Sequence, residues 1–190
     1  MARGSQEREQ EFIATAQEKT GHSVPEWMVI IEEANLDPKP NTILKHLKAN
    51  HDLNHMQANY LSGIYLNDGQ PVFNYEVLFE KLFDKREQWR DLYNTLETTV
   101  IGMFEDVVFV PTKAYVSIEG EKIFGCAKLT AKGIRYGLDL GEMPFAGRVQ
   151  KAKGLGAMPN ITHMIELQSA DEIDNELREL TQTAFNRVHG

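Results

Sequence analysis

Cysteine and long apolar runs are what this 190-residue chain has least of. Its one cysteine, Cys126, cannot close an internal disulfide or build a cysteine zinc cluster. No run of about 18 apolar residues occurs, so no membrane-spanning helix is expected. The opening residues MARGSQEREQ are polar and lack the apolar stretch of a secretory signal. These absences point to a soluble protein of the reducing cytoplasm, with no membrane partner. Positive charge is also short: 20 Lys/Arg stand against 28 Asp/Glu, a net of -8. Such a balance opposes coating of nucleic acid by the whole surface, because phosphate binding draws on positive charge.

What is present is an ordinary globular composition, 42% hydrophobic and 25% charged, at a length that allows one or two domains. The charge is uneven. Residues 1–75 carry six Lys/Arg against ten Asp/Glu, and residues 76–107 carry four against eight. Residues 108–168 reverse the sign, with eight against five, a local net of +3.

Along the chain, helical spacing comes first. A helix is expected from about Gln6 to Lys19, closed by Gly21. Ser23-Val24-Pro25-Glu26 reads as a capping box opening a helix with Trp27, Ile30, Ile31 and Ala34. Asn41 is expected to cap a third helix (Ile43, Leu44, Leu47), and Asn54 a fourth (Met56, Ala58, Leu61, Ile64). The last two form a hairpin of helix-turn-helix type in the architectural sense. Asn67-Asp68-Gly69-Gln70-Pro71 marks a boundary. Beyond it lie a short helix at Tyr75–Phe83 and a longer one from about Glu87 to Phe104.

The period then shortens. Val107–Val110, Ala114–Ile118, Lys122–Leu129, Gly133–Leu140 and Ile161–Leu167 read as strands, too closely spaced for crossover helices. Ser169-Ala170-Asp171-Glu172 reads as a second capping box opening the last helix. The expected class is therefore α+β: a helical module over residues 6–68, then a mainly antiparallel sheet with flanking helices over 74–189.

Two segments also carry family likenesses. Lys19-Thr20-Gly21-His22-Ser23, Glu26-Trp27, His51-Asp52-Leu53-Asn54-His55 and Ala58-Asn59 resemble the helical family called domain of unknown function 4287, over roughly residues 10–68. From about Leu78 to Val188 the chain is similar to the family called domain of unknown function 5655. Lys113, Tyr115, Ser117, Phe124, Leu138, Leu140, Arg148, His163 and the Asp171, Leu177, Ala184 helix carry that likeness. The strand order also resembles, more distantly, YjbR-like α+β proteins, some of which are suspected of nucleic-acid contact. These resemblances imply an architecture and no activity, and the pairing of residues 128–137 stays open.

Chemistry-bearing residues fall into two sets. On the expected sheet, alternation places Lys113, Tyr115 and Ser117 on one face, with Phe124, Arg148 and His163 as candidates to join them around a carboxylate or phosphate. A surface salt bridge plus core aromatics is the competing reading. In the helical module His46, His51 and His55 crowd the hairpin, His51 and His55 flanking its turn, and Asn59 and Trp27 are candidates to join them in a site. The turn breaks the i, i+4 relation of His51 and His55 that a shared metal needs, so helix-end hydrogen bonding is expected and no metal or cofactor is assigned. Lys151-Ala152-Lys153-Gly154-Leu155-Gly156 lacks the Gly-Lys-Ser/Thr of a phosphate loop and reads as a mobile basic loop. Cys126, in an apolar strand, is expected in the core.

No nucleophile, base and orienting partner can be named together. The first expectation is thus a non-enzymatic module binding an anionic ligand, nucleic acid included, through the C-terminal sheet. An enzyme or carrier with a pocket between the two parts, walled by Trp27, Trp89, Tyr93 and Phe145, is a second. A protein-interaction or self-associating module is the third.

Overall fold

The computed structural model describes residues 5–156, 158 and 160–190. The chain divides into two compact units, Met1–Asn74 and Tyr75–Gly190. Among the described residues, no helix is long and apolar enough to cross a membrane.

The first unit holds helices α1 (Ser5–Thr20), α2 (Val24–Glu33), α3 (Pro40–Asn50) and α4 (His55–Tyr65). Local chemistry sets their ends. Gly21 takes a φ of 83° after α1, a conformation that costs glycine little. Ahead of α2, one oxygen of Glu26 accepts from both the backbone N–H and the hydroxyl of Ser23, each at 2.7 Å. That draw on its charge holds the Glu26 carboxyl below its usual range, through the Ser23 side chain first. Asn54 and Gln57 close a full reciprocal box at the start of α4. Helix α3 departs from expectation: it begins at Pro40, so Lys39 and not Asn41 occupies the cap. Proline fits that first position because its missing N–H would have had no helical partner there.

The apolar stripes meet around Trp27, Ile31, Ile43, Leu47, Leu61 and Ile64, all at most 1% exposed. One carboxylate joins them. Glu9 is fully buried and accepts from the backbone N–H groups of Val72 (3.0 Å) and Phe73 (2.8 Å), fastening the far end of the unit to α1.

The second unit opens with α5 (Tyr75–Phe83), then a 3₁₀ turn at Glu87–Trp89 leading into α6 (Arg90–Ile101). Strands β1 (Val108–Pro111), β2 (Val116–Glu119), β3 (Ile123–Thr130), β4 (Gly133–Leu138), β5 (Gln150–Lys151) and β6 (His163–Leu167) follow, and α7 (Asn175–His189) ends the chain. Every pairing is antiparallel, in the order β1-β2-β3-β4-β6-β5. The Ser169 box opens only a 3₁₀ turn at Ala170–Glu172; α7 starts later, with Asp174 capping the N–H of Leu177 at 2.9 Å.

One face of the sheet packs on the helices through Val116, Ile118, Ala127, Leu129, Ile134, Tyr136, Ile165 and Leu167. Strand alternation is broken once. The register slips where β2 meets β3, with Ile118 opposite Gly125 but Glu119 opposite Ile123. Phe124 is the extra residue of this bulge, and it turns into the helix-covered core although Cys126, two residues on, points the other way.

Candidate functional site

The sheet's second face carries Cys126, Gly137 and Met164 in a row across β3, β4 and β6, roofed by Leu155 and Ile161. The roof sits tightly: a Cβ on Gly137 would lie 2.6 Å from Leu155, 2.7 Å from Ile161 and 2.8 Å from the Cys126 sulfur. Burial pushes the Cys126 thiol up to about 12, so it behaves as a core hydrophobe and not a nucleophile.

Beside this patch, the two-residue turn at Ala131-Lys132 fixes the register of the β3–β4 hairpin. Lys128 therefore stands directly opposite Arg135, and Arg135 opposite Glu166. Like charges facing each other across strands oppose pairing. Here each cation has an outlet. Arg135 meets Glu166 at 3.2 Å and donates to the Lys153 carbonyl at 3.3 Å, while Lys128 donates to the Gly154 carbonyl.

The basic loop Lys151–Gly156 is thus strapped to this face, and is not the free loop expected from composition. Two glycines let it approach: Gly154 (φ 66°) lies against the Arg135 guanidinium, and Gly156 (φ 107°) against the Tyr115 ring. Lys151 and Lys153 remain exposed on it.

The five residues expected to converge are split by the sheet. Lys113 and Tyr115 lie in the β1–β2 turn, which is held by Thr112 Oγ1 donating to the Tyr115 carbonyl at 2.7 Å. Lys113 is exposed, and Tyr115 is half-buried against the loop with its hydroxyl pKa raised by that burial. Phe124 is absent from this group: the bulge places it, fully buried, among Phe104, Phe185 and His189.

His163 is only 2% exposed, and both ring nitrogens are engaged, Nε2 with the Met143 carbonyl (2.7 Å) and Nδ1 with Thr162 Oγ1 (2.8 Å). Phe145 lies 4.8 Å from its ring. Arg148 is taken by the start of α7, donating to the Glu172 carbonyl (2.8 Å) and to Asp174, while its buried Nε lies 3.0 Å from Glu176 without a hydrogen bond. Two carboxylates and a carbonyl thus already surround its fork. Lys128 and Arg135, which sequence reasoning passed over, are the cations held under the loop that also meets Tyr115. The hairpin turn was the signal that located them, since counting back from it pairs 128 with 135.

In the helical unit, Trp27 is enclosed by imidazoles. His22 and His51 stand edge-on to it at 5.1 and 5.2 Å, and His46 lies 5.6 Å from His51. The indole N–H donates to Thr20 Oγ1 at 2.7 Å. Desolvation first, then His46 and His22, lowers the His51 pKa. His55 and Asn59 are exposed on α4 and take no part in this cluster. Among the described residues, no group of three or more His, Cys, Asp or Glu is arranged to hold a metal ion.

Residues 79–187 match the family described as domain of unknown function 5655, and residues 9–66 match that described as domain of unknown function 4287. The distant likeness to YjbR-like proteins gains no support from these matches. No curated protein and no solved structure matches the chain.

Proposed function

We propose a binding function for this chain, which belongs to the domain of unknown function 5655 family: its sheet unit takes the phosphate backbone of a nucleic acid on the loop-strapped face. The observation that carries the reading is the Lys128–Arg135 pair, two like charges held directly opposite one another beside a loop bearing Lys151 and Lys153. Glu166 supplies one negative charge against these two cations, and an anion laid across the pair completes the compensation. Tyr115 adds a half-exposed ring at the rim, of the kind on which unpaired bases stack. The chain's net charge of -8 confines the contact to this region, where the local net is +3.

Fluorescence anisotropy of the full chain with labelled 20-mer single strands and duplexes, at several salt concentrations, tests this. Affinity should fall with salt with a log–log slope of roughly -2 to -3, the mark of about three or four phosphate contacts. The double variant Lys128→Ala, Lys153→Ala should lower the steepness of that slope by about 1 to 2. Absence of salt-dependent binding, or binding indifferent to the double variant, would remove the reading.

A further inference from the structure

A second surface lies wholly within the helical unit and has the opposite electrostatic character. Helices α2 and α4 both end at one groove of about 610 Å³. Its floor is apolar: Met28 and Pro38 contribute, with Val29 56% and Leu66 38% exposed to solvent. Side chains of this size rarely stand so open without a partner when they share one concavity.

Its rim is acidic. Glu32, Glu33 and Asp68 line it, and no Lys, Arg or His does. All three are exposed; Glu32 accepts from the Tyr65 hydroxyl, so Glu33 and Asp68 are the carboxylates an occupant meets first. Lys39, next in the chain after Pro38, is held by Asp37.

The backbone adds to the same sign. A helix C-terminus carries about half a negative charge, which the chain ordinarily offsets with a basic residue in the last turn. Neither α2 nor α4 has one. Two helix ends without a basic last turn and three carboxylates therefore surround an apolar floor, and the chain supplies no cation of its own to the lining. A positively charged occupant is the electrostatic complement of that arrangement.

We propose that this groove docks a segment of a partner protein in which an apolar anchor is flanked by lysine or arginine. Aliphatic side chains of the segment fill the floor over Val29 and Leu66. Its cations meet Glu33, Asp68 and the carbonyl ends of α2 and α4. A segment of this composition has no use for the cationic face of the sheet unit, so the two readings stand or fall separately.

The test uses the full ¹⁵N-labelled chain and a 14-residue amphipathic Leu/Lys peptide, with a Gly/Lys peptide of equal charge as comparison. Saturable binding is expected, with amide shifts concentrated at residues 28–33 and 65–69. Glu33→Gln with Asp68→Asn should weaken it at least tenfold, and Val29→Ser at least fivefold. All three side chains are exposed, and asparagine tolerates the positive φ of Asp68, so the fold should persist, as the melting temperature will show. Equal binding of the Gly/Lys peptide, or of spermidine, would overturn the proposal in favour of a plain acidic patch. Shifts mapping elsewhere, or no binding by the Leu/Lys peptide, would overturn it outright.

Discussion

In the helical unit the helix ends are set by residues close in sequence: Ser23 with Glu26, Asn54 with Gln57, Trp27 with Thr20. In the sheet unit the faces are set by pairing between strands distant in sequence, as when β6 returns beside β4, and by ties such as Arg148 to Asp174 and Glu176. The two also differ in what they offer to solvent. The first shows an apolar groove rimmed by carboxylates, the second a sheet face crossed by cations. Short-range chemistry builds the first unit's surface from helix ends. Strand register builds the second's, and register is invisible residue by residue.

The largest effect should come from the centre of the local unit. Trp27 is 1% exposed, shares its ring with two imidazoles, and spends its one donor on Thr20. Trp27→Ala should cost about 3–5 kcal/mol, through lost burial and an unfilled cavity. Denaturant unfolding gives the total, and amide exchange should accelerate first in α2, α3 and α4. If exchange quickens equally in β3 and β4, the contrast between the units is wrong.

Glu9 tests a long tie inside that unit. Replacing it by alanine leaves the N–H groups of Val72 and Phe73 without their acceptor, at a cost of about 2 kcal/mol. Glu9→Gln keeps one acceptor oxygen and should lose less. An alanine variant as stable as the parent would mean that water replaces the carboxylate freely.

These two sites also show where sequence reading succeeds and stops. Capping boxes, the Gly21 stop and the Trp27 stripe were legible because a helix end is decided by four or five neighbouring residues. The antiparallel sheet was legible too, since its connections are too short for crossovers. Glu9 was not, because nothing within a turn of it announces two donors more than 60 residues away. Phe124 was misplaced for a related reason: alternation assumes an unbroken strand, and a single bulge reverses it. Strand β5, two residues long, carries too little pattern to read at all. The cationic pair could have been found, because the turn at Ala131-Lys132 implies it.

Gly137 probes the sheet unit in the same currency. A methyl group there would meet Leu155, Ile161 and the Cys126 sulfur, all inside 3.0 Å. Gly137→Ala should therefore cost about 1–2 kcal/mol by overpacking, and lift the roof formed by the basic loop. Cys126 reports on that lift directly. Its thiol is buried and pushed up to about 12, so the parent should resist a thiol reagent such as DTNB while folded. The variant should react measurably faster, and the nucleic-acid binding proposed above should weaken with the loop's displacement. A destabilised variant whose thiol stays inert would show that the strain is absorbed by the strands instead.

The smallest effect separates the units by sign. His51 has its pKa lowered, chiefly by desolvation, so the unfolded chain holds that proton more tightly than the folded one. Its contribution is complete above the ordinary value of 6.5 and is lost as pH falls below it. Glu97, in α6, has the opposite displacement: burial raises its pKa, only partly offset by the Tyr93 hydroxyl at 3.2 Å. The folded sheet unit therefore binds this proton more tightly than the unfolded chain does. Its relative stability is greatest below the ordinary carboxyl value of 4.5 and declines as pH rises through the raised one. Acidification from above pH 6.5 to below pH 4.5 should accordingly loosen α2 and α3 through His51 while firming α6 through Glu97. Amide exchange, corrected for its intrinsic pH dependence, resolves the two regions in one sample. His51→Gln should flatten the first trend and Glu97→Gln the second; trends of the same sign in both units would show that neither group governs its surroundings.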